Sequence, residues 1–80
     1  MTAPRTEFGD GVWEVGVDIE PGIYVATDIE DGYWARMSGF DGDSIITNDA
    51  IGTAEQIMVE ILPSDAAFKT TDCGTWRKRR

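Results

Sequence analysis

The chain reads as a small all-β protein, an antiparallel sandwich or barrel of about six to seven short strands, and three observations predict it. Apolar and polar residues alternate in short runs, turn residues interrupt those runs about every eight to twelve positions, and β-branched or aromatic side chains fill them. Eighty residues make one domain, divided as an N-terminal arm over 1–7, a β domain over 8–76 and a basic C-terminal tail over 77–80. A hydrophobic share of 41% is too high for a disordered chain.

Phe8 to Tyr24, FGDGVWEVGVDIEPGIY, is written as a strand and a tight turn. Trp13, Val15, Val17 and Ile19 fall on one face of a period-two pattern, which marks them as core. Glu20-Pro21-Gly22 then supplies turn chemistry, so a second strand from Ile23 to Thr27 is expected to fold back on the first. Asp28 to Gly32 reads as a loop, with Asp31-Gly32 a hairpin signal into a third strand over Tyr33 to Ser38. Gly39 to Asp43 interrupts the pattern. Ser44 to Thr47 fits a short strand or one helical turn, ended by Asn48-Asp49.

Thr53 to Leu62, TAEQIMVEIL, gives conflicting signals. Ala54, Ile57, Met58, Ile61 and Leu62 sit at helical spacing, and Thr53 with Gln56 has the form of a capping box. Against that, Ile57, Val59 and Ile61 alternate with Met58 and Glu60, as a core strand requires. Pro63-Ser64-Asp65 is a turn, Ala66 to Thr70 a short strand, Asp72-Cys73-Gly74 another turn, and Thr75-Trp76-Arg77 a closing strand.

Several segments taken together resemble a known family. Phe8-Gly9-Asp10-Gly11, VGVDIEPGIY, YWARMSGFDG, the Ile-Ile-x-Asn of Ile45 to Asn48, and Cys73-Gly74-Thr75-Trp76 are similar to a small domain of actinobacterial envelope proteins and of phages that infect those bacteria. The resemblance spans Phe8 to Trp76 and implies an all-β fold, which favours a strand for TAEQIMVEIL. It implies no activity. Secreted relatives carry a cysteine just before the Tyr-Trp-Ala-Arg segment, as though to bridge the one in Cys-Gly-Thr-Trp. Here that position is Gly32, so the resemblance implies a lost disulfide.

Chemistry is thin by comparison. With no histidine and one cysteine, Cys73, a conventional nucleophilic triad, an internal disulfide and a zinc centre are all excluded. Asp41, Asp43 and Asp49 are the best-clustered carboxylates, but an EF-hand counted from Asp41 would need glycine and glutamate where Ile46 and Gly52 stand. Only an irregular calcium site would fit them, and acidic turns are usually solvated. Gly9-Asp10-Gly11 precedes a strand rather than a helix and reads as a turn. No enzyme, cofactor or small-molecule substrate is expected.

Charge points to docking instead. Before residue 77 the chain holds three basic residues against fifteen acids, a net −12, and the last four residues add +4. An acidic body repels nucleic acid and anionic membrane, so nucleic-acid binding through the tail is the weakest of the functional classes. A core of this size rarely supplies more than about 3–5 kcal/mol, which favours a protein partner or self-association. The expected role is a non-enzymatic structural protein of a larger assembly, most plausibly a phage virion accessory such as a capsid decoration protein. The alternative is an intracellular regulatory or host-interaction module. Trp34 and Arg36, which share an outward face, together with Arg77, Lys78, Arg79 and Arg80, form the expected interface. Residues 1–7 contain no apolar run, and with the lost bridge this predicts a product made in the cytoplasm, with the virion as its destination.

Overall fold

The strands are β1 (Glu7–Phe8), β2 (Gly11–Glu14), β3 (Gly22–Met37), β4 (Ile45–Ile61), β5 (Ala67–Thr71) and β6 (Trp76–Lys78) in a computed structural model that describes residues 4–41 and 43–79. All are antiparallel. They form one sheet in the order β1-β6-β3-β5-β2, with β4 alongside β3, and the sheet curls into a half-barrel. The all-β class expected from sequence is therefore right. Among the described residues the strands number six, within the six to seven expected, and of the two architectures expected the curled sheet is nearer the barrel.

The β3–β4 hairpin is the frame. Gly22 pairs with Ile61 and Met37 with Ile45, and the pairing holds one register until a shift at Arg36/Met37. Sixteen residues of straight strand would extend about 50 Å, yet the longest dimension of the molecule is 34 Å. The hairpin must therefore bend. Asp28 and Asp31 supply the bend, both with φ at 55°, a left-handed conformation that Asp tolerates better than most residues. Their effect shows in burial: the buried residues of β3 run Tyr24, Ala26, Ile29, Gly32, Ala35, Met37, so the spacing changes from two to three and back. Ile51, Ala54 and Ile57 on β4 follow the same spacing of three. The inward face thus rotates with the strands and stays on the core.

This corrects the loop expected over Asp28 to Gly32. The aspartate and glycine chemistry that makes turns is used here for kinks inside a continuous strand. Ser44 to Thr47 and TAEQIMVEIL are likewise parts of one strand, β4, which passes straight through Asn48-Asp49. Ile57, Val59 and Ile61 face inward and Met58 and Glu60 outward, as the alternating pattern required.

The first strand is shorter than expected. After Glu14 the chain turns at Gly16-Val17-Asp18, where the Asp18 N–H donates to the Glu14 carbonyl at 2.8 Å and the Gly16 N–H to the Ile19 carbonyl at 2.7 Å. Val17 therefore stands at a turn and is 57% exposed, while Ile19 is fully buried. The expected hairpin through Glu20-Pro21-Gly22 does not form. β2 pairs with β5, and Gly22 keeps a positive φ of 149° as the first residue of β3. Turn residues mark where the chain changes direction but not which strand it returns to.

An aromatic cluster closes the half-barrel. Phe8 touches Tyr24 (ring centroids 5.0 Å apart), Trp13 (5.7 Å) and Phe68 (5.8 Å), and Phe68 meets Trp76 edge-on at 5.3 Å. Among the described residues the buried side-chain polar atoms are satisfied, as burial without a partner would be costly. The Trp76 indole N–H donates to Thr70 Oγ1 at 2.7 Å, and the Tyr24 hydroxyl donates to the Glu20 carbonyl at 2.7 Å. Burial and the nearby Glu20 carboxylate push the Tyr24 hydroxyl up to about 12. β1 and β6 pair through Glu7–Arg77 and Phe8–Trp76, so residues on both sides of the expected domain boundaries at 7 and 76 belong to the sheet.

Candidate interaction surface

Two of the residues expected at an interface are structural. Trp34, half-buried, stacks on the buried Phe68 with ring centroids 6.1 Å apart and planes at 20°. Arg36 grips Asp65 with two hydrogen bonds, Nε to Oδ2 at 2.7 Å and Nη2 to Oδ1 at 2.9 Å. Asp65 also accepts from the Leu62 N–H at 3.0 Å, which ties the Pro63-Ser64 turn to β3. Burial opposes the charged form of Asp65, but the Arg36 guanidinium and the Leu62 N–H outweigh it and hold the carboxyl below its usual range. A bidentate pair of this kind locks a turn. Trp34 thus commits one ring face to Phe68 and Arg36 its guanidinium to Asp65, so both hold the fold together.

The basic segment is not a loose tail. Trp76 to Lys78 is β6, hydrogen-bonded between β1 and β3, and the Arg79 N–H continues the ladder by donating to the Ile23 carbonyl at 2.6 Å. The physical reason is Trp76, whose fully buried ring anchors the strand. Lys78 reaches Glu20 at 2.7 Å, and Arg77 lies 3.3 Å from Glu7 in an exposed pair. Arg79 is exposed and has no ion pair among the described residues. Arg80 lies outside the described residues.

Strand alternation places Arg77 and Arg79 on the outer face of the sheet, opposite the buried Trp76, while Lys78, paired with Tyr24 across the ladder, falls on the inner face and reaches Glu20. Tyr24 and Ala26 point into the core, so Val25 and Thr27 point out, and Val25 is paired across the ladder with both Arg77 and Met58. An open concavity of about 470 Å³ results, lined by Val25, Thr27, Thr75, Arg77, Lys78 and Arg79. Its described lining residues are three cations, of which Lys78 turns its amine to Glu20, two hydroxyls and one apolar side chain. Met58, 52% exposed, extends the apolar part on the β4 side. Such a lining can attract and hydrogen-bond an anionic group.

Sequence reasoning found Arg77, Lys78 and Arg79 and missed Val25, Thr27, Thr75 and Met58. Their signal was available as the outward positions of strands whose inward positions are Tyr24, Ala26, Trp76 and Val59. Among the carboxylates considered for calcium, Asp41 lies in the β3–β4 loop and Asp43 near its end, while Asp49 lies on β4 opposite Trp34. No group of three potential metal ligands comes together among the described residues.

Residues 5–77 match the model of the family described as Rv1352-like extracellular domain, and the chain belongs to that family. No curated protein and no solved structure gives a significant match. Membership agrees with the actinobacterial part of the resemblance and overturns the cytoplasmic location expected from sequence. That expectation rested on what residues 1–7 lack and on the missing bridge. The lone thiol does not require a reducing compartment, because Cys73 is 1% exposed and its Sγ–H faces the Tyr33 carbonyl at 3.5 Å, shielded from oxidants.

Proposed function

We propose that this member of an extracellular-domain family is a non-enzymatic docking module that uses the outer face of β3 and β6 to hold an anionic surface outside the cell. One observation carries the reading: a protein with a net charge of −8 concentrates Arg77 and Arg79 on one outer face around a concavity that Lys78 also lines, beside the exposed Met58. A cationic patch on an acidic body steers an anionic partner to one orientation, since the remaining surface repels it. The apolar Val25 and Met58 add contact area that does not weaken with salt.

The rigidity of the strand favours the same role. Arg77 and Arg79 project from a backbone held on both sides, so less conformational freedom is lost on binding than from a free tail. No feature of the fold singles out a virion as the platform, and the narrower virion role is not carried forward.

The test is retention of the purified domain on isolated actinobacterial cell envelopes across a salt series. Wild type should be retained at low salt and released progressively as salt rises, with a residual fraction that Met58→Ala removes. Arg77→Glu with Arg79→Glu should abolish retention while leaving the thermal transition in place. Equal retention of the charge-reversed variant would refute the assignment of this face.

A further inference from the structure

Among the described residues, nothing covers the long edge of the sheet. β4 is hydrogen-bonded, among the described residues, to β3 alone along Ile45–Ile61, so its other side presents a row of unpaired backbone groups. Natural edge strands are usually kept short, or blunted by lysine, proline or a bulge. The other two edge strands obey this, with two residues in β1 and four in β2. β4 has seventeen residues, eight of them Ile, Val or Thr, and contains no lysine, arginine or proline. From Ile45 to Ala50 it is exposed on both faces.

The available backbone groups can be identified. Ile23 gives its carbonyl to Arg79 on the β6 side. By alternation, Tyr24 faces β4 and its partner Val59 faces back, which leaves the N–H and C=O of Met58 and Glu60 directed outward.

Charge selects the occupant. β4 carries Asp49, Glu55 and Glu60, the adjacent β3 adds Asp28, Glu30 and Asp31, and no basic residue occurs between Arg36 and Lys69. A second copy paired through β4 would meet only acids, and in the register centred on Gly52 Asp49 would oppose Glu55. We infer that β4 is a receptor edge for strand addition by an extended, lysine- or arginine-bearing segment of another protein, with backbone pairing to β4 and its basic side chains facing Asp49, Glu55 and Glu60. This site shares Met58 with the β6 face, through its backbone rather than its side chain, but uses neither Arg77 nor Arg79.

The probe is a nonapeptide alternating Lys with Val and Thr, compared with a version carrying Glu for Lys and one N-methylated at alternate amides. Amide exchange of the full domain is followed by NMR. The Lys peptide should slow exchange at Met58 and Glu60. The Glu peptide, the N-methylated peptide and the Met58→Pro variant, which removes one outward N–H from an edge position that tolerates proline, should each bind roughly tenfold more weakly or worse. Arg77→Glu with Arg79→Glu should bind the Lys peptide as wild type does, which separates failure here from failure of the β6 assignment. N-methylation without effect would reduce the interaction to charge attraction and overturn the inference. Concentration-dependent protection of β4 without peptide would overturn it in favour of a second copy.

Discussion

Gly32 and Cys73 offer the sharpest test of the packing, because one short distance has opposite consequences for two substitutions. A Cβ placed on Gly32 would lie 2.8 Å from Cys73 Sγ, 2.7 Å from Ile29 Cγ2 and 3.1 Å from the Asp72 carbonyl oxygen. Non-bonded atoms do not approach so closely, so Gly32→Ala must displace the thiol or Ile29, at an overpacking cost of about 1–3 kcal/mol. Across a disulfide, however, a Cβ sits about 3 Å from the far sulfur as a matter of covalent geometry. Gly32→Cys should therefore bridge to Cys73 on oxidation, closing a loop of about 40 residues. The loss of unfolded-state entropy for a loop of that size is worth about 4 kcal/mol. Subtracting the shift of Ile29 leaves a net gain of about 1–3 kcal/mol, or about 4–20 °C in a domain of this length. Thermal melts with and without reductant, paired with a free-thiol titration, read both arms. Reduced Gly32→Cys should melt below wild type and the oxidised form above it. Two thiols persisting under oxidant, or Gly32→Ala as stable as wild type, would refute the reasoning.

Asp65→Asn should cost about 3 kcal/mol in urea unfolding, because it leaves the Arg36 guanidinium partly buried without its carboxylate. Since the folded Asp65 carboxyl is held below its usual range, its stabilisation is present above the unfolded value of about 3.9 and is lost as pH falls through the folded value. Acid unfolding of Asp65→Asn should be correspondingly shallower. Tyr24 acts at the opposite end: its raised folded value means stability fully present below pH of about 10 and lost as pH rises through about 12. Phenolate absorbance from Tyr24 should therefore appear only well above a pH of about 10, and Tyr24→Phe should remove that part of the alkaline transition. Trp34→Ala should lower stability by about 2–4 kcal/mol through loss of its stack on Phe68, with envelope retention of the folded fraction unchanged. A stable variant with lost retention would return Trp34 to the interface.

The parts of the fold legible in the sequence are those decided within a few residues. Alternation placed Ile57, Val59 and Ile61 inward, proline ended β4, and the short runs around Phe68 and Trp76 marked β5 and β6. Illegible were the features that depend on distant partners. Asp31-Gly32 is a hairpin signal in isolation, but β4 pairs along the whole length of β3 and gains more from a continuous ladder than the chain would from turning there. The pairing of β2 with β5, some 55 residues downstream, has no local signature at all.

Charge misled for a related reason. A run of basic residues at the end of an acidic chain suggests a solvated tail, and an arginine two positions from a tryptophan suggests an outward face. Both inferences take the charged side chain as the deciding group. In the structure the deciding group is its neighbour: Trp76 is buried against Phe68 and carries Arg77 and Lys78 into the sheet, and Asp65, 29 positions away, arrives on a turn to claim Arg36. Charged residues follow where the large apolar ones are anchored, because burying an aromatic ring is worth about 2–3 kcal/mol whereas an exposed ion pair contributes about 1 kcal/mol or less. The same ordering explains why Arg77 and Arg79 form one surface. They were placed by Trp76 and by the alternation of β6, and a partner meets them as a fixed pair on a strand.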